Sequence, residues 1–340
     1  MRNLRLVVTA TAAATVVALL TGCSGQGSPA PGDKPSAEPQ VVHVGQVVLS
    51  IFAPLYVADA KGYFKDEGIQ LDLQAVKSGQ DAIPLASSGK LDVVVAGFSA
   101  GMFNAIHSGL DIKVVGSMGV SDGNKEKSPS DLLVSKKLID SGAVKSIADL
   151  KGKKIGCAGG IGSTGAYLLN LALRTAGLSL NDVTVVNLGN PDIPTAIANG
   201  SLDGGISSAP FSSNAIKDGI AVSVATPPKG TSGTGVIYGG QFTKSTLAQK
   251  FFSALARGAK DLQDGKAYDP DNLEIIAKAT NQTVDRVKAV PLYTWLPNLA
   301  PLADQLQDME KVWMAIGAIE YKDPTPTADY IVETFAQKAK

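Results

Sequence analysis

Two successive runs of short apolar strands, each interleaved with helical stretches, constrain this chain more than any other feature. In the first run, strands are expected at 41–49 (VVHVGQVVL), 69–76 (IQLDLQAV), 91–96 (LDVVVA) and 112–118 (IKVVGSM), with helices at 53–63, 80–88 and 100–108. The second run places strands at 131–135, 153–158, 183–188, 203–207 and 219–225, and helices at 164–176, 193–199 and 211–217. Strands that alternate with helices build βαβ units, since a helical crossover returns the chain to lay the next strand parallel to the last. Parallel sheets are therefore expected. The stretches "QDAIPLASSGKLDVVVAG" (80–97) and "NPDIPTAIANGSLDGGISS" (190–208) both run helix, Gly-x-Leu-Asp, strand, so that Asp92 and Asp203 occupy the same point of two units. The fold class is α/β, with two similar lobes, one sheet in each, and a ligand beyond the carboxyl ends of the strands. From about residue 242 the pattern turns mainly helical, with apolar spacing over 245–263, 271–279 and 299–317.

One loop suggests a dinucleotide. Gly160, Gly162 and Gly165 satisfy G-x-G-x-x-G between the strand-like "KKIGCA" and a helical pattern, which is the setting of a Rossmann fingerprint. That unit also needs an acidic residue at the end of the next strand to hold the ribose. "VTVVNLGNP" (183–191) offers Asn187 and Asn190 and no carboxylate. A nucleotide cofactor is therefore rejected, and what survives is a helix start rich in backbone donors.

The amino terminus points outside the cell. Arg2 and Arg5 precede "LVVTATAAATVVALL" (6–20), an uncharged apolar run too short to span a bilayer comfortably and laid out as a signal peptide. It ends in Leu20-Thr21-Gly22-Cys23, which resembles a bacterial lipobox. Residues 1–22 are expected to be a lipoprotein signal peptide and Cys23 the lipidated first residue. The Ser-, Gly- and Pro-rich stretch at 23–40 is read as a flexible tether that holds a folded body off the membrane. Two or more acyl chains suffice for such anchoring. With Cys23 lipidated, Cys157 stands alone in an apolar strand and is read as a core residue, with no internal disulfide. His43 and His107 are too few and too far apart for a zinc site, and no metal is expected. The 31 basic and 31 acidic residues balance, so no net field recruits nucleic acid.

Four junctions between strand and helix carry small hydroxyls, backbone donors and aromatic rings. They are Ser50, Ile51 and Phe52; Gly97, Phe98 and Ser99; Gly162, Ser163 and Thr164; and Ser207, Ser208, Ala209, Pro210 and Phe211. A helix start presents free N–H groups and the positive end of its dipole, which suits an anion. The same Ser and Thr residues also serve as plain helix caps. Phe52, Phe98 and Phe211 would cover an apolar tail or stack on a ring, or pack in the core. No Arg, Lys, Asp or Glu lies at these junctions. Lys125 and Lys127 come near in sequence, and a solvated surface run is their expected role.

"FAPLYVADAKGYFKDEGI" (52–69) resembles the opening signature of the nitrate/sulfonate/taurine substrate-binding family of ABC importers, through Pro54, Tyr56, Ala58, Gly62, Tyr63, Phe64, Gly68 and Ile69. The likeness continues through "LASSGKLDVVVAGFS", "SIADLKGKKIG", "GSTGAYLLNLALRTAGLSLNDVTVVNL" and "AIANGSLDGGISSAPF", in order over residues 43–240. The resemblance implies a type II periplasmic-binding-protein fold: two lobes with a ligand cleft between them, closing about a hinge. It implies a large lobe at 41–128 and 235–340, a small lobe at 129–234, and cleft residues at the four junctions. "KEKSPSD" and "GTSGTG" would be the hinge regions. The family pattern puts an acidic residue just before the Pro–aromatic pair, where this chain has Ser208-Ala209, which speaks against an aminated ligand.

The resemblance thus implies a monomeric, non-enzymatic solute-binding lipoprotein on the outer face of the cell membrane. It would need no cofactor, capture a small organic anion (a sulfonate or carboxylate), and deliver it to ABC permease subunits and, through them, their ATPase. The alternatives are a binder of a neutral, pyrimidine-like vitamin precursor and a surface sensor without transport. The related thiamine-pyrimidine synthase shares the fold, yet its lysine-bound pyridoxal phosphate and clustered cysteines fit poorly with a lone Cys157 and an export signal. Both histidines lie far upstream of any plausible nucleophile elbow, so no Ser–His–Asp order fits.

Overall fold

A computed structural model describes residues 38–339. The signal peptide at 1–22, Cys23 and all but the end of the tether lie outside the described residues. Ten strands form: β1 (Gln40–Gln46), β2 (Ile69–Ala75), β3 (Val93–Gly97), β4 (Ile112–Ser117), β5 (Ser130–Ser135), β6 (Lys154–Cys157), β7 (Thr184–Asn187), β8 (Gly204–Ser208), β9 (Ala221–Ala225) and β10 (Thr234–Gly239). Helices of six residues or more are α1 (Ala53–Ala60), α2 (Gly79–Ser87), α3 (Ala100–His107), α4 (Thr164–Arg174), α5 (Ile193–Ala198), α6 (Phe211–Lys217), α7 (Leu247–Lys260), α8 (Pro270–Ala279) and α9 (Ala303–Ala315).

The strands make two five-stranded sheets, β2-β1-β3-β10-β4 and β7-β6-β8-β5-β9. Neither is purely parallel, which corrects the expectation from the alternating pattern. β10 runs antiparallel to β3 and β4, and β5 runs antiparallel to β8 and β9. Each odd strand follows a crossing from the other sheet rather than a βαβ connection, so nothing forces it parallel. The two orders match position for position once β5 is set against β10. β3 and β8, the strands of the repeated sequence unit, are then equivalent. Asp92 Oδ2 accepts from the His43 N–H on β1 at 2.8 Å, and Asp203 Oδ2 accepts from the Lys154 N–H on β6 at 2.7 Å. The sequence repeat is therefore a structural one, with the carboxylates tying β3 to β1 in one sheet and β8 to β6 in the other.

The sheets' helices follow from their apolar spacing. In α4, Ala166, Leu169, Asn170 and Leu173 are buried at intervals of three and four, one face of a 3.6-residue helix. α7 turns Ala248, Phe251, Phe252, Leu255 and Ala259 onto the first sheet and packs closely on α1. A Cβ at Gly258 would lie 2.2 Å from Pro54 O, so only glycine allows that approach. Each of the buried phenylalanines contributes on the order of 1.5–3 kcal/mol. α9 touches both halves: the Trp313 ring stands 5.8 Å from Phe103 of α3, and Asp308 accepts from Tyr167 of α4 at 3.0 Å and Arg174 at 3.2 Å. The expected helix at 299–317 starts only at Ala303, because Leu299 sits at φ 51.

The chain passes between the sheets at 118–129 and 226–233, and these two crossings lie side by side. Ser121 N–H donates to Thr231 O at 2.8 Å, Gly230 N–H to Ser121 O at 2.8 Å, and Ser121 Oγ to Pro227 O at 2.9 Å.

Candidate functional site

Three helix starts converge between the sheets. Ser78, Ser99 and Ser163 each hold an extended backbone before α2, α3 and α4, and each Oγ accepts from the N–H of the third residue on, at 3.3, 3.2 and 3.3 Å. These are N-caps, so the three hydroxyls are largely spent on their own helices. Ser163 Oγ also donates to Gly160 O at 2.7 Å. Gln80 Oε1 accepts from Gly101 N–H of α3 at 3.1 Å, and Ser78 Oγ donates to the Asp81 carboxylate in the first turn of α2 at 2.8 Å. What the helices leave open is therefore the rest of their first N–H groups and the positive ends of their dipoles, that of α2 partly offset by Asp81. The backbones of Ser99 and Ser163, from opposite sheets, meet as a one-residue antiparallel bridge.

Thr164 locks this meeting. Its Oγ1 lies 3.0 Å from Phe98 O and 2.6 Å from Gly233 O, and its single proton serves one carbonyl at a time. Gly97 and Gly233 make the slot it enters. A Cβ on Gly97 would meet Thr164 Oγ1 at 2.6 Å, and one on Gly233 would meet Thr164 Cγ2 at 2.2 Å.

Behind this contact is a cavity of about 110 Å³. Ile51, Phe52, Gly97, Phe98, Ser99, Ser163, Thr164 and Ser208 of the expected residues line it. The Phe52 and Phe98 rings are 1% and 4% exposed, so they are core and cavity wall at once. Four expected residues are elsewhere. Ser207 is fully buried on the other face of β8, because side chains alternate along a strand and Ser208 takes the cavity side. Ser50 borders a separate small hollow with Ala209 and Pro210. Phe211 opens α6 outside the wall. Gly162 is placed for close approach: its Cβ would lie 3.0 Å from Ala100 Cβ, across the junction of the two sheets. Neither Lys125 nor Lys127 is in the cavity wall; Lys125 borders a neighbouring groove.

Several wall residues escaped the sequence reading, Lys77 and Tyr293 among them. Lys77, in the loop after β2, is the one charged side chain of the lining, and it makes no ion pair among the described residues. Tyr293 comes from the extended segment before α9. Its hydroxyl bonds to Ser130 Oγ, which lies 2.7 Å from Ser208 Oγ. Burial pushes the Tyr293 hydroxyl up to about 12, so it keeps its proton at neutral pH. The same segment pins the first junction, for Trp295 Nε1 donates to Ile51 O at 2.8 Å. Thr234 Oγ1, also in the wall, is buried without a hydrogen-bond partner among the described residues. The lining holds no carboxylate.

No histidine or cysteine lines the cavity. Cys157 is fully buried, and burial pushes its thiol up to about 12, far from thiolate at neutral pH. His43 pairs with Asp72 at 2.8 Å, while His107 stacks on Tyr321 with ring centroids 3.8 Å apart. Among the described residues no three His, Cys, Asp or Glu side chains gather as metal ligands do.

Two sheets of matching order, joined by paired crossings and enclosing a cavity at their facing helix starts, define the two-lobed type II periplasmic-binding-protein fold. Solved proteins share it. The alkanesulfonate-binding protein SsuA of Xanthomonas axonopodis pv. citri, bound to MOPS, superposes with a TM-score of 0.67 at 19% identity, covering 87% of this chain and 99% of that one. The periplasmic nitrate-binding protein NrtA of Synechocystis PCC 6803 superposes at 0.70 and 12% identity, covering 88% of each. Residues 50–265 match the family model described as NMT1/THI5 like, and the chain belongs to that family. A curated relative, 4-amino-5-hydroxymethyl-2-methylpyrimidine phosphate synthase of Aspergillus parasiticus, is 34% identical over 154 residues. That stretch is 45% of this chain and only 41% of the relative's length.

Proposed function

We propose that the protein is the solute-binding component of an ABC importer and that it captures a small organic anion of the sulfonate or carboxylate class. One observation carries the reading: the cavity gathers three positive helix ends and Lys77, and its wall contains no acid. Its volume of about 110 Å³ suits a compact headgroup. The names of the solved neighbours, binders of alkanesulfonate and nitrate, support an anionic ligand, and the first of them a sulfonate. The proposal includes a large lobe at 41–128 plus 235–340, a small lobe at 129–234, a lipid anchor at Cys23, a monomeric state, and permease subunits as partners at the outer face of the membrane.

A second reading takes a neutral pyrimidine. The relative named as a pyrimidine phosphate synthase favours it, as do Phe52, Phe98 and Tyr293 in the wall. Calorimetric titration of residues 24–340 with alkanesulfonates, carboxylates and 4-amino-5-hydroxymethyl-2-methylpyrimidine separates the two. An anion should bind more weakly in Lys77→Gln by about two- to fivefold, the worth of an exposed ion pair of up to about 1 kcal/mol. Tighter binding of the pyrimidine than of any anion, unchanged by Lys77→Gln, would overturn the anion reading.

A further inference from the structure

Beside the central cavity lies a groove of about 540 Å³, between α4 and the second sheet's edge. Leu168, Leu171 and Ala172 line one side, spaced by three and four so that they form one stripe along α4. Val224, from the edge strand β9, and Ile147 contribute further apolar lining. All five are only partly buried, so this apolar surface has no full covering within the chain. Lys125 and Lys229 also border it, and neither is ion-paired among the described residues.

Groove and cavity are neighbours with a common wall. Ser130, Leu168, Ile206 and Pro227 line both. For a molecule whose headgroup filled the cavity, the groove is the adjoining space, on the far side of Leu168 and Ile206. Its two lysines carry the same charge as Lys77 and stand against one carboxylate of the lining, Asp131, which accepts from Ser223 Oγ at 2.7 Å, so the groove itself suits an uncharged apolar body rather than a second acidic group. We infer that the groove is a second subsite of the same binding site, taking the apolar body of an elongated organic anion whose acidic head occupies the cavity. The inference rests on the anion reading above and deepens it: the ligand is an amphipathic anion larger than the central cavity alone would hold.

Titration of residues 24–340 with ethane-, butane-, hexane- and octanesulfonate tests this. Affinity should rise by about fourfold per added methylene once the chain reaches the groove, the ordinary worth of burying one. Leu171→Asp and, separately, Val224→Lys should flatten the series while leaving ethanesulfonate binding unchanged, since neither residue borders the cavity. A dissociation constant independent of chain length overturns the inference and leaves the anion reading standing. So does a chain-length dependence that both variants leave intact. If no sulfonate or carboxylate binds at all, the anion reading fails and takes the second subsite with it.

Discussion

Replacing Gly233 by alanine should hold the cleft open. The new Cβ would sit 2.2 Å from Thr164 Cγ2, whereas ordinary contact begins at 3.4 Å. Gly233 lies outside the left-handed region, so alanine meets no backbone penalty of its own. Thr164 cannot simply turn away. It is β-branched at the first position of α4, and rotating it would free Oγ1 from Phe98 O and Gly233 O. Relief requires the end of the second crossing, which the Phe98 N–H ties to the first sheet through Gly233 O at 2.9 Å, to part from the start of α4 by about 1.2 Å. The Oγ1 to Gly233 O bond, now 2.6 Å, would then be broken. Overpacking of this kind costs about 1–3 kcal/mol; with hinge closure as the family resemblance implies, it falls on the form in which the halves meet, and ligand affinity should drop roughly 5- to 150-fold. Titration calorimetry with the best anion of the screen reads the affinity, and small-angle scattering reads the opening. Thr164→Ser deletes the clashing methyl and keeps the hydroxyl. The Gly233→Ala/Thr164→Ser pair should therefore recover most of the loss, a coupling that a double-mutant cycle measures directly. Unaltered affinity in Gly233→Ala, or a loss that Thr164→Ser fails to repair, would refute the reasoning.

Asp131 is 5% exposed, accepts from Ser223 Oγ at 2.7 Å and makes no ion pair among the described residues; burial holds its pKa above the ordinary carboxylate value. Asp131→Asn should accordingly raise the thermal midpoint, and more at pH 8 than at pH 5, because protonated aspartate already resembles asparagine; a midpoint lowered at both pH values would contradict this. Cys157 should resist iodoacetamide at pH 8 in the native protein and react only on unfolding, as read by mass spectrometry. Its folded pKa is about 12 against 9.0 for a free thiol, so its contribution to stability is complete below pH 9 and is lost as pH rises toward 12. Cys23→Ser should release the protein from the membrane fraction or leave it unprocessed, and a variant processed and membrane-bound like the wild type would count against the lipid anchor.

Much of the fold was legible because its signals are local. The valine run of β3, the spacing of α4 and the repeated Gly-x-Leu-Asp unit each lie within a score of residues. β10 was missed because "TGVIYG" follows a glycine-rich crossing and no helix introduces it. Its antiparallel sense, like that of β5, depends on which sheet the chain is returning from, and no local pattern encodes that. At the site, the junction residues were findable as caps, yet alternation along β8 decided that Ser208 and not Ser207 would face the cavity. Gly162 marks a close approach between halves and lies outside the cavity lining, and glycine spacing alone does not distinguish such an approach from a place in the wall. Tyr293 and Trp295 reach the first junction from 244 positions away in the case of Trp295 and Ile51. Lys77 follows an edge strand that offered no reason to single it out. Such long-range meetings are set by topology, which a single sequence records only indirectly.

The exchange of strands between the two halves also sets an order of assembly. All five strands of the second sheet, Ser130 to Ala225, come from one uninterrupted stretch. The first sheet has no such autonomy, because β4 pairs with β10 and bridges Ile331 through Val114, both later in the chain, and β3 needs β10 on its open side. A chain emerging from its amino terminus therefore presents β1, β2 and β3 early, leaves β4 without a partner, and completes the second sheet before residues 234–239 arrive to close the first. Long-range pairing of this kind is slow and leaves apolar strand edges uncovered in the interval. Pulsed hydrogen exchange during refolding should protect the amides of β5 and β8 before those of β4, and the reverse order would rule the sequence out. The half that is translated first is then the half that is finished last, and until then its unpaired strands are the part of the molecule most exposed to misassembly.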